Sequence, residues 1–204
     1  MPRHRAAVFG ATGYIGSELV HRLLLHPEVE LVATYAADFL GQPLSNALPN
    51  LEGRTGLRVE AIPGDLTTLP PLDVAFLALP HETSFRVVAE LDRFDTRIID
   101  CSGAFRVDDA SQYVRYYGVE HPLPELLPRF VYGLTERNRE AIAASRYVAS
   151  PGCFATTIEL GLLPLALAGL LAGRVSTVGM TGSSGAGSAP LPTTHHPVRS
   201  QTIR

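Results

Sequence analysis

Gly10, Gly13 and Gly16 stand at intervals of three, directly behind the apolar run Ala6–Phe9 and directly ahead of a stretch with helical spacing. Glycine serves where a turn is tight, where backbone must approach a ligand closely, and where a helix packs hard on a strand. The loop Gly10, Ala11, Thr12, Gly13, Tyr14, Ile15 and Gly16 therefore ends at a helix start, where free N–H groups and the helix dipole attract phosphate. The spacing is Gly-x-x-Gly-x-x-Gly instead of the commoner Gly-x-Gly-x-x-Gly, but the chemistry is the same: a dinucleotide pyrophosphate site. The plainer alternative is a bare strand-to-helix turn, and the context argues against it. At the end of the next strand, where an acidic residue holds the ribose of NAD, stand Thr34, Tyr35 and Ala36, with no carboxylate until Asp38. That leaves room for a 2′-phosphate and favours NADP(H), although no arginine stands there to bind it.

The second reactive feature is Cys153, in Ser150-Pro151-Gly152-Cys153-Phe154-Ala155-Thr156-Thr157. Pro-Gly ends a strand and puts the cysteine at the start of a long helix, a position that favours the thiolate. A thiolate there can attack an acyl carbon. The plainer reading of any cysteine is a buried, inert one, and Cys101, which follows a strand without a helix start of its own, is assigned to that class.

These groups need a scaffold. Strand-like runs at Ala6–Phe9, Glu30–Thr34, Asp73–Leu79 and Thr96–Asp100 alternate with helical stretches at Gly13–His26 and Glu82–Leu91. The run from Asp73 is continuously apolar, as in a strand covered on both faces. The order predicts an α/β fold, a Rossmann-type doubly wound parallel sheet. Residues 38–56 read as a loop, Asp108–Tyr117 and His121–Pro128 as irregular, and 138–144 as a short helix. Tyr147–Ser150 and Val175–Met180 read as strands, with the long helix from Cys153 between them. The domains expected are 1–149, binding the dinucleotide, and 150–204, the start of an α+β catalytic and dimerisation domain. At about 55 residues the second is short for a domain, so the chain reads as cut off within it.

Bulk properties exclude several classes. A chain of 204 residues with 46% apolar content buries a sizeable core, and a net charge of −3 without a basic stripe argues against nucleic acid. All 17 basic residues are arginine, so Schiff-base chemistry, a P-loop lysine and a Tyr-x-x-x-Lys pair are excluded within this chain. Two cysteines make no disulfide framework and point to a reducing compartment, the cytoplasm. The run before the glycine loop is too short for a signal peptide. The uncharged stretch Leu160–Gly173 is too short to span a membrane and reads as a buried helix.

In order along the chain, several segments resemble one family, the N-acetyl-γ-glutamyl-phosphate reductases of arginine biosynthesis. They are Gly10–Gly16, Leu77-Ala78-Leu79-Pro80-His81, Asp100-Cys101-Ser102-Gly103-Ala104-Phe105-Arg106, Val131-Tyr132-Gly133-Leu134, Pro151-Gly152-Cys153, and Thr181-Gly182-Ser183-Ser184-Gly185-Ala186-Gly187. The resemblance implies NADPH-dependent reduction of an acyl phosphate to a semialdehyde through a cysteine thioester, with Cys153 as nucleophile. It implies that Pro80 lies at the cofactor, that Ser183, Gly185 and Ala186 line the cofactor and catalytic pocket, and that Arg106 holds the anionic substrate. It implies a homo-oligomer at full length and a general-base histidine in a motif beyond Arg204. Phe154-Ala155 stand where the family usually has Tyr-Pro, and Thr135-Glu136 where it has Pro-Glu. His195 and His196 read as loop residues, and without further ligand spacing no metal site is expected.

Two other substrates fit the same chemistry: a carrier-bound aminoadipyl phosphate of the lysine pathway, and aspartyl phosphate, the substrate of aspartate-semialdehyde dehydrogenase. A rival of another class is a non-catalytic NADP-binding redox sensor, whose glycine loop is the same. The ordered downstream matches and Pro151-Gly152-Cys153 argue against it.

Overall fold

Alternating side chains of the first strand set the architecture. The computed structural model describes residues 3–187, of Ser183 the backbone only. Strand β1 (His4–Phe9) turns Ala7 and Phe9 into one hydrophobic cluster and Val8 into another on the opposite face, as the two-residue period of a strand requires. It is followed by α1 (Tyr14–Leu24), β2 (Val29–Tyr35), the single-turn α2 (Leu44–Ala47), β3 (Val59–Glu60), β4 (Val74–Leu77) and α3 (His81–Leu91). Then come β5 (Arg97–Asp100), α4 (Ala110–Tyr117), β6 (Val131–Tyr132), α5 (Thr135–Ala144), β7 (Tyr147–Ala149) and α6 (Cys153–Leu167).

The seven strands form one sheet in the order β3-β2-β1-β4-β5-β7-β6, every pair parallel. Strand order reverses between β1 and β4, the switch point at which open α/β sheets leave a crevice beyond their carboxyl ends. Helix α1 covers one face with Val20 and Leu23, and α3 covers the other with Val87, Val88 and Leu91. Phe9 and Tyr35 stack at 4.7 Å between ring centroids and are fully buried, each contributing about 1.5–3 kcal/mol by burial.

The doubly wound sheet is as predicted. The stretch 38–56 is more structured than a loop: Leu44, Leu48 and Leu51 are buried against Val8 and Val20, carried by α2 and a 3-10 turn at Pro49–Leu51. Asp108–Tyr117, read as irregular, holds α4, capped by the Asp109 carboxylate at one end and by Gly118 in the left-handed conformation at the other. Val175–Met180 is not a strand, because among the described residues it has no partner to complete a ladder. Helix α6 forms where expected but buries none of its residues: Phe154, Ile158, Leu165 and Leu167 are exposed, since none of the described elements packs over that side. His195 and His196 lie outside the described residues.

Candidate active site at the carboxyl edge of the sheet

The glycine loop connects the carboxyl end of β1 to α1. Gly10 has φ +86°, and a Cβ there would lie 2.2 Å from Ala78 O, while one on Gly16 would lie 1.9 Å from Gly10 O. Both positions therefore exclude any side chain. The N–H groups of Gly10 and Ala11 donate to Tyr35 O at 2.8 and 3.0 Å, tying the loop to the end of β2. Gly13 is the N-cap of α1, no side chain caps the helix start, and its first turn carries no acidic residue. Tyr14 and Ile15 are half exposed beside it. An uncapped, uncountered helix start over a bare glycine cradle is what a diphosphate requires, so these residues fit a dinucleotide. Thr12 stands on the rim, its hydroxyl donating to Asp38 Oδ1 at 2.5 Å.

Pro80 is the N-cap of α3 at the end of β4. Beside it the His81 ring accepts at Nε2 from the Gly103 N–H (3.1 Å), and its other edge meets Tyr117. A Cβ on Gly103 would come within 2.7 Å of the imidazole and 2.9 Å of the Tyr117 hydroxyl, so any side chain there would have to displace them. The loop that holds Gly103 is anchored below by Asp100. This fully buried carboxylate accepts from the Ser84 hydroxyl (2.9 Å), the Ser102 hydroxyl (2.7 Å) and the Ser102 N–H (3.1 Å). Burial raises its pKa; those donors and the nearby Arg106 pull the other way without cancelling it.

Arg106 reaches across two strand ends. Its Nε donates to Ser150 O (2.8 Å) and its Nη2 to Cys101 O (2.9 Å), while Nη1 lies 3.1 Å from where a Cβ on Gly152 would be. Nε thus braces the turn that leads into Cys153 and Nη2 the end of β5, while Nη1 makes no hydrogen bond among the described residues. Cys101 is half-buried, and its pKa is pushed up to about 11, first by burial and then by the Asp100 carboxylate. Cys153 is exposed at the first position of α6, which no side chain caps and no acidic residue opens. It borders a cavity of about 610 Å³ with Phe154, Thr157, Ile158 and the segment 177–181. Ser183–Ala186 follow as a 3-10 turn in which Gly185 and Ala186 are exposed. On the other side of α6, Tyr132 donates to Glu159 Oε1 (3.0 Å). Burial, then that hydrogen bond, pushes the Tyr132 hydroxyl up to about 12.

Glycine loop, His81, Arg106 and Cys153 thus follow the ends of β1, β4, β5 and β7, consecutive in the sheet. At the usual strand spacing the row is about 14 Å long, a span that a dinucleotide lying across the edge can cover. Asp38, His81 and the Asp100 anchor carried little signal in the sequence. Asp38 lies three residues past the end of β2, beside Phe39 with φ +54°, and meets the glycine loop through Thr12.

Residues 5–145 match the family model described as semialdehyde dehydrogenase, NAD binding domain, and residues 153–204 match semialdehyde dehydrogenase, dimerisation domain. A Thermomicrobium roseum protein named as a LysW-L-2-aminoadipate 6-phosphate reductase is 42% identical over 97% of this chain and 56% of its own length. An N-acetyl-γ-glutamyl-phosphate reductase of Ectopseudomonas mendocina is 41% identical over 90% of this chain and 53% of its own length. Another, of Dehalococcoides mccartyi, is 38% identical over 93% and 54%. The chain spans about half the length of the curated relatives it matches. In fold it is similar to aspartate semialdehyde dehydrogenase II of Vibrio cholerae (TM-score 0.58, 19% identity, 81% of this chain and 47% of that one). It is also similar to the Candida albicans aspartate semialdehyde dehydrogenase solved with NADP (TM-score 0.53, 16% identity, 83% and 48%).

Proposed function

The chain belongs to the semialdehyde dehydrogenase family, and from that premise we propose that the protein is an NADP(H)-dependent acyl-phosphate reductase acting through Cys153. The substrate proposed is N-acetyl-γ-glutamyl phosphate, reduced to N-acetylglutamate 5-semialdehyde with release of phosphate, a step of arginine biosynthesis. The observation that carries this reading is the exposed thiol at the uncapped start of α6, on the same sheet edge as the glycine cradle. Relatives of that name at about 40% identity support the substrate.

In this reading the Cys153 thiolate attacks the acyl carbon. Main-chain N–H groups in the first turn of α6 face the oxyanion that develops. Phosphate departs and leaves a thioester on Sγ. When bound, the reduced nicotinamide supplies a hydride to the acyl carbon. The sulfur then leaves as thiolate, and the aldehyde is released. Gly10, Thr12, Gly13, Tyr14, Ile15, Gly16 and Pro80 hold the dinucleotide, with Ser183, Gly185 and Ala186 lining the pocket. Arg106 offers Nη1 to the anionic substrate while Nε holds the turn before Cys153 and Nη2 the end of β5. The protein works as a homo-oligomer in the cytoplasm.

The test is phosphate-dependent oxidation of N-acetylglutamate semialdehyde by NADP with the full-length protein. Cys153→Ser is expected to lower turnover at least a thousandfold; normal turnover in that variant would refute the assignment. A second reading, carrier-bound aminoadipyl phosphate, draws on the Thermomicrobium roseum relative. Assaying both semialdehydes side by side decides between the two.

A further inference from the structure

The dinucleotide site has a rim that the cofactor preference drawn from sequence did not foresee. The end of β2 and the glycine loop are joined by Tyr35 O, which accepts from Gly10 and Ala11. Asp38, three residues past that strand and next to Phe39 with φ +54°, stands against Thr12 of the glycine loop. The Thr12 hydroxyl donates to Asp38 Oδ1 at 2.5 Å; Oδ2 makes no hydrogen bond among the described residues, and the side chain is exposed. A carboxylate fixed against the glycine loop at the end of the second strand is the arrangement that accepts hydrogen bonds from an adenosine ribose diol. A 2′-phosphate placed there meets a like charge instead. A cation held against the same turn is Arg58, whose Nε donates to Gly41 O at 3.0 Å and whose two terminal nitrogens make no hydrogen bond among the described residues.

We infer that Asp38 is the cofactor-discriminating residue of this chain, and that it opens the site to NAD(H) alongside NADP(H). The inference rests on the proposed dinucleotide site and narrows it: the ribose hydroxyls are read by Asp38, and the penalty it sets on a 2′-phosphate is offset by Arg58. Because the carboxylate is exposed and hydrogen-bonds only Thr12 among the described side chains, replacing it leaves the core intact.

The experiment is direct titration of the full-length protein with NADH and with NADPH, followed by nicotinamide fluorescence, for wild type, Asp38→Asn and Asp38→Ser. Wild-type dissociation constants for the two are expected to lie within about tenfold of each other. Asp38→Ser should tighten NADPH and weaken NADH, moving their ratio about tenfold towards NADPH. Asp38→Asn keeps an acceptor for Thr12 but removes the charge, and should move the ratio nearly as far. Wild-type preference for NADPH beyond tenfold, or a ratio unmoved by Asp38→Ser, overturns the inference. A ratio moved by serine but not by asparagine overturns it too, since charge would then not be the discriminator. Binding of neither dinucleotide to wild type sinks the underlying site reading, an outcome distinct from binding of both at an unmoved ratio.

Discussion

The two cysteines show how position alone divides one side chain into two chemistries. Cys153 is exposed at a helix start, whereas Cys101 is half-buried between the ends of β5 and β7, its pKa pushed up to about 11 by burial and by Asp100. A thiol reacts as its thiolate, so access and ionisation both disfavour Cys101. Native protein treated with iodoacetamide between pH 7 and 9 is therefore expected to take up one label, at Cys153. The second should appear only as pH approaches about 11 or on unfolding. Peptide mass spectrometry reads this directly, and early labelling of Cys101 at neutral pH would contradict the assignment. The sequence separated these two residues because only one follows Pro-Gly. It could not show that Arg106 ties the ends of β5 and β7 together through Cys101 O and Ser150 O, because Arg106 and Ser150 stand 44 residues apart in the chain.

Among the elements, the glycine loop and α1 form one unit. Gly16 is buried in the first turns of α1, with Gly10 O so close that a Cβ would lie 1.9 Å from it. Gly16→Ala must push the helix off the loop. The expected cost is about 1–3 kcal/mol of stability, as for overpacking elsewhere, with at least a hundredfold weaker dinucleotide binding. Gly13→Ala is the control: its Cβ would meet Gly10 O at an ordinary 3.6 Å, so stability should hardly change. Thermal melts and a cofactor titration on the two variants separate packing from contact, and equal melts for both would refute this account. Strands β1, β2, β4, β5 and β7 and helices α1, α3 and α6 were legible as apolar runs and helical stretches, whereas the two-residue strands β3 and β6 were too short to show. The buried Leu44, Leu48 and Leu51 were not, since Pro49 among them and Gly41, Pro43 and Gly53 around them mask a periodicity that only one turn of helix carries. Val175–Met180 fails in the opposite sense: β-branched residues favour an extended chain, but a strand exists only with a partner. Asp38 was missed for a third reason: it stands three residues beyond the strand end, and only the folded chain shows its hydrogen bond to Thr12.

At the scale of the whole molecule, one buried histidine couples the fold to pH. His121 lies among Phe85, Phe105 and Tyr113, accepts at Nδ1 from the Leu123 N–H (3.0 Å), and so donates from Nε2 to Ala104 O (2.9 Å). Both ring nitrogens are thereby committed to the neutral form, and the Ala104 contact supports the loop that carries Arg106. Burial depresses the pKa of His121, outweighing its two main-chain hydrogen bonds and the Glu125 carboxylate. The unfolded chain takes up a proton near pH 6.5 that the folded chain refuses. The stability His121 contributes is therefore complete above about pH 6.5 and is lost as pH falls towards its folded value. Asp100 acts in the other direction: its raised pKa means that the folded state gains the proton first, which favours folding as pH falls towards the carboxylate range. The histidine is isolated by comparing slopes. Wild type should lose at most about 1.4 kcal/mol per pH unit through this one proton, a fall of at most about 3–6 °C in melting temperature for a chain of this size. His121→Gln keeps a donor for Ala104 O and cannot ionise, so it should start lower but fall less steeply between pH 7 and 5.5. Melts of both proteins across that range give the answer: parallel curves would mean that His121 is indifferent to the proton, and that the support of the Arg106 loop does not depend on its neutral form.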